Sequence, residues 1–397
     1  MTRRLYFEDA YRKEFEGQVL ERLVHEGRPA VVLDRTCFYP ESGGQPSDRG
    51  TLGGADVLHV FEDGEKIIHV LDRELSGAEE VRGVVDWVRR FDHMQQHSGQ
   101  HILSQCFVEV VEGETRSFHL GEQVSTLEIG IGAVSDTDLE NVESRANDIV
   151  FEDREIRTYF VEDEQVGTVP LRRPPKKEGT IRVVEVSGFD FSACGGTHCR
   201  RTGEIGLIKI IRWDKLRNNL RFEFLCGRRA WKDYALKNRS LLGISQKFSV
   251  HESDTAAAVE KTIQEARQSR KKMKHLQDAL VGFEAKEAVE KGAGWLVKRV
   301  WTDKTAEEAK LLALNIIRLA ERAVLFAVRG EEKDHFIFAC SEKMSLNMRE
   351  LMPLVMERAK GKGGGGSSLV EIAAEKGADL EAVLTAAEDY LRQKLGR

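Results

Sequence analysis

The stretch Asp92-His93-Met94-Gln95-Gln96-His97-Ser98-Gly99-Gln100-His101 decides how the rest of the chain is interpreted. The hydrophobic pattern around it predicts a helix over residues 91–110. Residues four apart lie on the same face of a helix, so the imidazoles of His97 and His101 can bind a single metal ion. The sequence must then supply the remaining ligands from elsewhere.

A second pair of metal-ligand side chains occurs in Cys194-Gly195-Gly196-Thr197-His198, again four residues apart. We expect the two glycines to let the chain turn sharply, so that Cys194 and His198 point at one centre. One thiolate and three imidazoles suit tetrahedral zinc. With four ligands available, we expect His93, one turn before His97, to be a neighbour of the metal and not a ligand.

The predicted helix supplies no catalytic base. Metalloproteases with the H-E-x-x-H pattern carry a glutamate after the first histidine, and here Ser98 occupies that position. Four protein ligands would make a closed structural zinc site, whereas three ligands and a water would favour hydrolysis of an ester or amide. The residues alone leave both possibilities open.

The composition is that of an ordinary globular protein. The 397 residues are 32% charged and 41% hydrophobic, with a net charge of −6, which argues against indiscriminate nucleic-acid binding by the whole surface. No apolar run approaches the roughly 20 residues of a membrane span, and the N-terminus has no signal-peptide core. Six cysteines in a chain of this length suggest reduced thiols. The sequence thus predicts a cytoplasmic protein with no membrane partner.

Hydrophobic periodicity predicts an α/β (α+β) multidomain fold with four parts. Residues 1–90 contain short alternating runs separated by glycine turns, which indicates a small β-barrel. Residues 91–229 predict an α/β domain that contains the zinc site. Residues 230–292 predict a long helical linker, and residues 293–397 predict a C-terminal α/β domain.

The linker carries an imperfect apolar seam between Ser253 and about Lys291. Its members are Val259, Ile263, Ala266, Met273, Leu276, Leu280 and Phe283. Such a seam favours a helical hairpin or a coiled-coil dimer. A homodimer through the linker or the C-terminal domain is therefore expected.

Local basic clusters indicate an anionic partner despite the negative net charge. They lie at residues 171–177, 215–221, 228–239 and 267–274. The glycine-rich stretch at 361–368 lacks the Walker order of residues, which disfavours nucleotide triphosphate binding and predicts an ATP-independent protein. That stretch is interpreted either as an amide-lined contact for a phosphate backbone or as a flexible turn.

The loop from Thr36 to Gly50 is a candidate wall of a substrate pocket. Its prolines and glycines cannot continue a strand, so a tightly turned loop is expected. The alternative is a plain Ω-type connection. Gln45 in this loop, together with Ser117 and His119 downstream, would bring an amide, a hydroxyl and an imidazole to a small polar pocket.

Five motifs, in their order along the chain, resemble the editing half of alanyl-tRNA synthetase and its free-standing relatives, the AlaX proteins. They are Thr36-x-Phe38-Tyr39-Pro40-Glu41-x-Gly43-Gly44-Gln45-Pro46-x-Asp48-x-Gly50, His97-x3-His101, Ser117-Phe118-His119-Leu120-Gly121, Cys194-Gly195-Gly196-Thr197-His198 and Thr202-Gly203-Glu204-Ile205-Gly206. The resemblance covers nearly the whole chain. The part after Gly292 resembles the C-terminal domain that accompanies this editing module, as in the long AlaX form. No counterpart of the aminoacylating domain is expected, and therefore no activation of alanine.

The resemblance implies a trans-editing hydrolase that deacylates mischarged tRNA(Ala), chiefly the seryl form, with the glycyl form as a further candidate substrate. It implies one zinc ion per chain, held by His97, His101, Cys194 and His198. It also assigns Thr36 to sensing the serine hydroxyl, because a site that hydrogen-bonds an OH group rejects a substrate that lacks one.

The candidate catalytic residues of the pocket are Thr36, Gln45, Gln100, Ser117 and His119. Gln100 stands where the synthetase form usually has the threonine that precedes the second histidine. His119 is the best protein candidate for a general base, with the tRNA or a bound water as the alternative. The terminal adenosine is expected between the loop at 43–45 and the Cys194 loop.

Two other functions stay open. A zinc-dependent hydrolase of small esters or amides would turn over without tRNA and would be indifferent to salt. A non-catalytic RNA-binding protein with a structural zinc would bind without deacylation. Affinity for tRNA should fall steeply as salt rises, which separates an RNA partner from a small substrate.

Overall fold

The first 85 residues form short strands whose alternating burial produces a closed barrel. The elements are β1 (Arg3–Arg4), α1 (Leu5–Glu8), β2 (Glu14–His25), β3 (Arg28–Leu33), β4 (Arg35–Thr36), β5 (Gly50–Leu52), β6 (Ala55–Asp63), β7 (Lys66–Leu71) and β8 (Glu80–Val85). The closed order is β2-β3-β7-β6-β5-β8. Glu26 and Gly27 both have positive φ, 48° and 78°, as a tight hairpin turn between β2 and β3 requires. The buried side chains of the strands fill the barrel interior.

The structure is a computed structural model, and it describes residues 1–77, 79–175, 179–292 and 294–396. The chain divides into two compact units, Met1–Ile244 and Ser245–Arg397. The mixed α/β multidomain fold expected from the sequence is confirmed. The finer division at residues 90, 229 and 292 stays a prediction.

A long helix, α2 (Trp87–Val111), follows the barrel and is buried on every side from His93 to Ser104. Asp86 caps its first turn by accepting hydrogen bonds from the backbone N–H groups of Val88 and Arg89, at 3.0 and 3.2 Å. Glu112 ends it in the left-handed conformation. A helix this enclosed can direct polar side chains only at other protein groups or at a bound ligand.

Two sheets and a second helix enclose α2. The elements are β9 (Thr115–Leu120), β10 (Ser125–Ile129), α3 (Asp136–Phe151), β11 (Ile156–Val161), β12 (Ile181–Val186), β13 (Asp190–Ala193), β14 (Ile208–Leu216) and β15 (Asn219–Cys226). One sheet has the order β14-β15-β10-β9 and the other β11-β12-β13. Apolar side chains of α2, α3 and both sheets form one core. Strand β13 ends immediately before Cys194 and so delivers that residue beside α2.

The second unit contains a five-stranded sheet covered on both faces. The elements after β15 are α4 (Gly227–Phe248), α5 (Thr255–Lys291), β16 (Leu296–Trp301), α6 (Ala306–Leu319), β17 (Ala323–Arg329), β18 (Lys333–Cys340), α7 (Met352–Ala359), β19 (Lys362–Gly365), β20 (Leu369–Glu375) and α8 (Leu380–Leu395). The sheet order is β16-β17-β18-β20-β19, with β16 and β17 parallel. Alternate residues of β17 and β18 face two separate cores, one containing α5 and α6 and the other α7 and α8.

One sequence expectation differs from this structure. The flexible turn expected at 361–368 is wrong, because residues 362–365 form β19, which pairs with β20 at the sheet edge; the phosphate contact stays a prediction. A Cβ atom on Gly363 would lie 2.1 Å from the carbonyl oxygen of Glu371, so this pairing requires glycine. A separate 3-10 turn, Met348–Leu351, precedes α7.

No helix in the described part of the chain combines the length and the apolar content that crossing a bilayer requires.

Candidate metal centre

The four expected ligands lie together. One ligand atom from each of His97, His101, Cys194 and His198 falls within 4.8 Å of the others. Helix α2 supplies His97 and His101 from one face, and the loop after β13 supplies Cys194 and His198. The cluster could hold a metal ion, as the spacing of the two pairs predicts.

The distances inside the cluster fit a tetrahedral ion. Sγ of Cys194 lies 3.4 Å from Nε2 of His97 and 3.4 Å from Nε2 of His198. Zinc bonds of about 2.0–2.3 Å in a tetrahedron put ligand atoms roughly 3.3–3.8 Å apart. The ring centroids of the three histidines are 4.4–5.3 Å apart, so all three imidazoles converge. The donor set and its spacing therefore fit zinc.

Each histidine has its Nδ1 atom beside an oxygen. Nδ1 of His97 donates to Oε1 of Gln45 at 2.8 Å, because an amide oxygen can only accept. Nδ1 of His101 lies 3.2 Å from Oδ2 of Asp190. Nδ1 of His198 lies 3.2 Å from Oγ of Ser98. The Gln45 and Asp190 oxygens can only accept, so they keep Nδ1 of His97 and of His101 protonated, whereas the Ser98 hydroxyl can donate to or accept from His198.

The charges of the cluster favour a thiolate. Burial alone would raise the pKa of Cys194, but His97 and His198 outweigh it and hold that pKa well below its usual value. Burial lowers the pKa of His198, and the charge of His97 lowers it further. Burial also opposes protonation of His101, yet hydrogen bonds to Asp190 and Cys194 raise its pKa to about 9. Cys194 is therefore poised as a thiolate, the form that binds zinc, whereas His101 must release a ring proton when an ion binds there.

The Cys194 loop approaches α2 because Gly196 has no side chain. A Cβ atom on Gly196 would lie 2.2 Å from Cε1 of His97. The sequence interpretation assigned both glycines to a sharp turn, but neither Gly195 nor Gly196 is among the residues with positive φ. Arg182 holds the same loop by donating to the carbonyl oxygens of Cys194 and Gly196, both at 2.9 Å.

Gln45 connects the barrel loop to this centre. Besides His97, its Oε1 accepts from the N–H of Thr197 at 3.1 Å, and its Nε2 donates to Oγ1 of Thr197 at 2.8 Å. The loop is itself anchored by an ion pair between Asp48 and Arg90 whose side chains are fully buried. Arg90 belongs to α2, so one helix positions both the ligands and the loop that orients them.

Thr36 lies in a buried network with His69, a residue that the sequence interpretation missed. Nδ1 of His69 lies 3.3 Å from the carbonyl oxygen of Val31 and must donate to it. Burial lowers the pKa of His69 to about 4, so the ring is neutral at neutral pH and its Nε2 accepts from the Thr36 hydroxyl at 2.8 Å. Thr36 also accepts from the N–H of Phe38 at 3.0 Å, which leaves its oxygen one free lone pair.

Gln100 is buried beside the ligand pair on α2. Its Nε2 donates to Oγ of Ser104 at 2.7 Å, and Thr115 donates to the same oxygen at 2.7 Å. Oε1 of Gln100 has no hydrogen-bond partner among the described residues. An unpaired buried amide oxygen costs about 1–3 kcal/mol, which makes it a ready acceptor for a ligand.

Ser117 and His119 are not part of the cluster. Both are exposed, and Ser117 donates to Oε2 of Glu128 at 2.8 Å. Side chains alternate along β9, and Phe118 is the residue whose ring packs on His97, with centroids 5.5 Å apart. Phe118 and Leu120 are apolar and two positions apart, which predicts that they share the inner face of β9. Ser117 and His119 alternate with them and therefore lie on the outer face.

His93 lies outside the ligand cluster, as expected. Burial and the nearby charges of Arg89 and Arg229 lower its pKa to about 3, so it stays neutral.

Some residues of the basic clusters are structural. Arg172 donates to the carbonyl oxygen of His101 and to Oγ of Ser192, both at 3.0 Å, and its Nε lies 3.5 Å from Oδ1 of Asp190. Arg229 pairs with Asp92 at 2.6 Å. These two side chains are therefore engaged in contacts within the protein and are not available to bind phosphate groups. Lys176 and Lys177 of the first cluster lie outside the described residues.

Besides His69, sequence reasoning did not find the roles of Asp190 and Ser98. Asp190 begins β13, four positions before Cys194, and nothing in its sequence context marks it as a partner of His101. Ser98 was considered only as the residue that replaces a catalytic glutamate.

Two family models match the chain. Residues 181–222 match the threonyl and alanyl tRNA synthetase second additional domain, which includes the Cys194 loop. Residues 10–89 match the class II (A) tRNA synthetases and cover most of the barrel.

Whole-chain comparisons agree with these matches. The alanyl-tRNA editing protein AlaX-L of Pyrococcus horikoshii is 29% identical, and the match covers 100% of both chains. The alanyl-tRNA editing protein Aarsd1 of Danio rerio is 29% identical over 95% of each chain. The alanine–tRNA ligase of Pyrococcus abyssi is 32% identical over 92% of this chain, which spans 41% of that enzyme. By these matches the chain is a full-length relative of the AlaX-L alanyl-tRNA editing proteins, and a relative of part of alanine–tRNA ligase.

Proposed function

We propose that this protein is a trans-editing hydrolase that deacylates mischarged tRNA(Ala). Ser-tRNA(Ala) is the chief substrate and Gly-tRNA(Ala) a further one, and the reaction needs no ATP. The observation that carries the proposal is the buried His97, His101, Cys194 and His198 cluster, with Gln45 of the barrel loop bonded directly to a ligand. The full-length match to alanyl-tRNA editing proteins supports the same activity.

We assign one zinc ion per chain to this cluster. When bound, zinc would supply positive charge that polarises an ester carbonyl or lowers the pKa of a water. Gln45, Ser98 and Asp190 orient the three imidazoles through their Nδ1 atoms. Arg182 and Gly196 keep the Cys194 loop against α2.

Thr36 is proposed to select serine. Its hydroxyl group donates its only proton to Nε2 of His69, so its oxygen can only accept a further hydrogen bond. A serine hydroxyl can donate that bond, whereas the methyl group of alanine cannot. Discrimination of this kind favours the substrate that carries the OH group.

Gln100 is proposed to line the same pocket. Its free Oε1 is suited to accept a hydrogen bond from the amino group of the esterified amino acid. Ser117 and His119 stay proposed pocket residues, although both are exposed in this structure. Because His119 is not beside the cluster, the general base is assigned to the tRNA or to a water.

The proposed partner is tRNA(Ala) that carries serine or glycine, and the proposed location is the cytoplasm. The proposal also includes a homodimer formed through the helical linker or the C-terminal unit. The exposed basic residues between 215 and 221, and between 267 and 274, are suited to the phosphate backbone.

A second candidate function is an RNA-binding protein with a structural zinc. The specific observation in its favour is that four protein side chains are available, which is the ligand number of a closed site. The two functions differ in whether bound aminoacyl-tRNA is discharged.

The deciding experiment compares deacylation of Ser-, Gly- and Ala-tRNA(Ala) by the full chain without ATP. We expect discharge of the seryl form faster than of the alanyl form, with affinity falling as salt rises. Binding of Ser-tRNA(Ala) without discharge would favour the structural-zinc function. Salt-independent turnover of serine ethyl ester at a rate equal to that of Ser-tRNA(Ala) would instead indicate a small-ester hydrolase.

A further inference from the structure

Helix α4 presents two aromatic rings and a row of cations to solvent. Trp231 and Tyr234 lie almost one turn apart on this helix, and each is 64% exposed. Successive residues of a helix are rotated by about 100°, so Arg228, Lys232 and Arg239 fall in one row beside Trp231. All three cations are exposed. These five side chains form a surface that we call the α4 face: Arg228, Trp231, Lys232, Tyr234 and Arg239.

The cations of the α4 face form no ion pair in the described part of the chain. The two other basic side chains of the same stretch are paired, Arg229 with Asp92 at 2.6 Å and Lys237 with Asp233 at 2.7 Å. Unpaired cations grouped on one surface attract an anionic ligand. Two copies that met here would bring like charges together, which opposes self-association through this face.

Exposed aromatic rings beside such cations suit a single-stranded nucleic acid. The bases of an unpaired strand stack on aromatic side chains, while lysine and arginine contact its phosphates. In a double-stranded stem, neighbouring base pairs cover the flat faces of the bases. The α4 face therefore fits unpaired nucleotides better than a stem.

The α4 face begins beside the segment of α2 that carries two metal ligands. Gly227, at the start of α4, lies so close to Gln95 that a Cβ atom there would come within 2.5 Å of that side chain. Arg229 is paired with Asp92, which precedes His97 by about 7.5 Å along α2. An RNA end that is bound at the ligand cluster therefore brings its neighbouring nucleotides close to α4.

We propose that the α4 face binds the unpaired nucleotides that precede the terminal adenosine of the tRNA. Trp231 and Tyr234 stack on their bases, and the three cations contact their phosphates. The identity of the RNA rests on the proposed function. Binding itself does not require discharge, so it is measured on uncharged tRNA.

The affinity of the full chain for uncharged tRNA(Ala) tests the proposal. Trp231→Ala/Tyr234→Ala removes both rings, and α4 should stay folded because the rings are exposed and alanine favours helices. We expect the dissociation constant to rise about tenfold or more, as is typical of lost base stacking. Phe151→Ala removes a ring that is 78% exposed at the end of α3 and should leave the dissociation constant unchanged. If the two variants bind equally well, the proposal is wrong.

A truncated RNA shows which nucleotides contact the rings. tRNA(Ala) that ends at its acceptor stem, without the unpaired 3′ nucleotides, should bind the wild type and Trp231→Ala/Tyr234→Ala equally well. Rings and nucleotides form one contact, so removing the second partner should cost no further affinity. If the ring variant loses the same factor in affinity for the truncated RNA, the rings do not contact the unpaired end.

The salt dependence of tRNA binding tests the cations. Each phosphate contact to a single strand contributes about 0.7 to the slope of log affinity against log salt. Lys232→Gln/Arg239→Gln should therefore reduce the magnitude of that slope by about 1.4. Arg28→Gln/Arg73→Gln removes the same charge from the exposed surface of the barrel and should leave the slope unchanged. Equal slopes in the two variants would show that Lys232 and Arg239 do not contact phosphate.

Failure of the α4 face and failure of the deacylase give different results. A wild type that binds tRNA(Ala) through the rings but leaves Ser-tRNA(Ala) intact would support the α4 face and contradict the deacylase. A ring variant that binds and discharges Ser-tRNA(Ala) as the wild type does would contradict the α4 face alone. If the ring variant instead loses binding to phosphatidylglycerol vesicles while its affinity for tRNA is unchanged, the face binds a lipid surface and the proposal is overturned.

Discussion

Gln45 and His97 are joined by a hydrogen bond of 2.8 Å although 52 positions separate them in the chain. The barrel loop therefore reaches the metal ligands of α2 through one side chain. This bond makes Gln45 an orienting partner of the centre as well as a wall of the proposed pocket.

Replacing Gln45 with methionine should weaken zinc binding. Methionine has a similar volume but only a weakly accepting sulfur in place of the amide oxygen that Nδ1 of His97 donates to, and loss of such a partner typically costs about tenfold to a hundredfold in metal affinity. Competition with a chelator measures the change. Gln18→Met makes the same substitution at an exposed barrel position and should leave zinc affinity unchanged. Equal zinc affinity in the two variants would show that Gln45 does not orient His97.

Replacing Asp190 with asparagine should also weaken zinc binding. The substitution keeps the shape but removes the negative charge that supports His101 and faces the largely buried Arg172. We expect a loss of about tenfold or more in zinc affinity. Asp63→Asn, at an exposed turn of the barrel, is the matched control. If Asp190→Asn binds zinc as tightly as the wild type does, the charge of Asp190 does not support zinc binding.

Replacing Thr36 with valine should reduce the preference for seryl over alanyl substrate. Valine keeps the branched shape but loses the oxygen that is free to accept a serine hydroxyl. The ratio of the two deacylation rates should fall about tenfold to a hundredfold, as expected for one buried hydrogen bond. Thr36→Ser keeps the oxygen and should retain most of the preference. If valine and serine variants discriminate equally well, the selection of serine lies elsewhere.

His69 should make the barrel sensitive to acid. Its pKa is about 4 in the folded protein against an ordinary value of 6.5, because the ring is fully buried. Between these two pH values the unfolded chain binds a proton that the folded chain does not, so this contribution to stability is present above pH 6.5 and is lost as the pH falls to about 4. The full effect is on the order of 3 kcal/mol.

The measurement is the free energy of unfolding as a function of pH, for wild type and for His69→Gln. Glutamine does not titrate, so the difference between the two proteins should shrink as the pH falls through this range. Parallel curves would mean that His69 does not carry the acid sensitivity.

The four ligands could be predicted from the sequence because their chemistry is visible in residue type and local spacing. Gln45, Ser98 and Asp190 could not be assigned as their partners, because those contacts arise from chain segments as far as 100 positions apart. The hydrogen bond between Thr36 and His69 likewise depends on the relative positions of β4 and β7 in the folded barrel, and local sequence patterns do not predict those positions.

Strands with alternating apolar residues, such as β6, were predictable because one face must be buried. Strand β19 was not, because glycine has no side-chain pattern and its extended form is imposed by pairing with β20. The exposure of His119 could have been inferred from Phe118 and Leu120, which occupy the buried positions of β9.

Zinc content and discharge of Ser-tRNA(Ala), measured on the same preparations of wild type and Cys194→Ala, test the central claim most directly. The wild type should contain one zinc ion per chain and discharge the seryl-tRNA without ATP, and Cys194→Ala should lose both properties together. A wild type that leaves Ser-tRNA(Ala) intact, or a Cys194→Ala variant that keeps one zinc ion per chain, would contradict it.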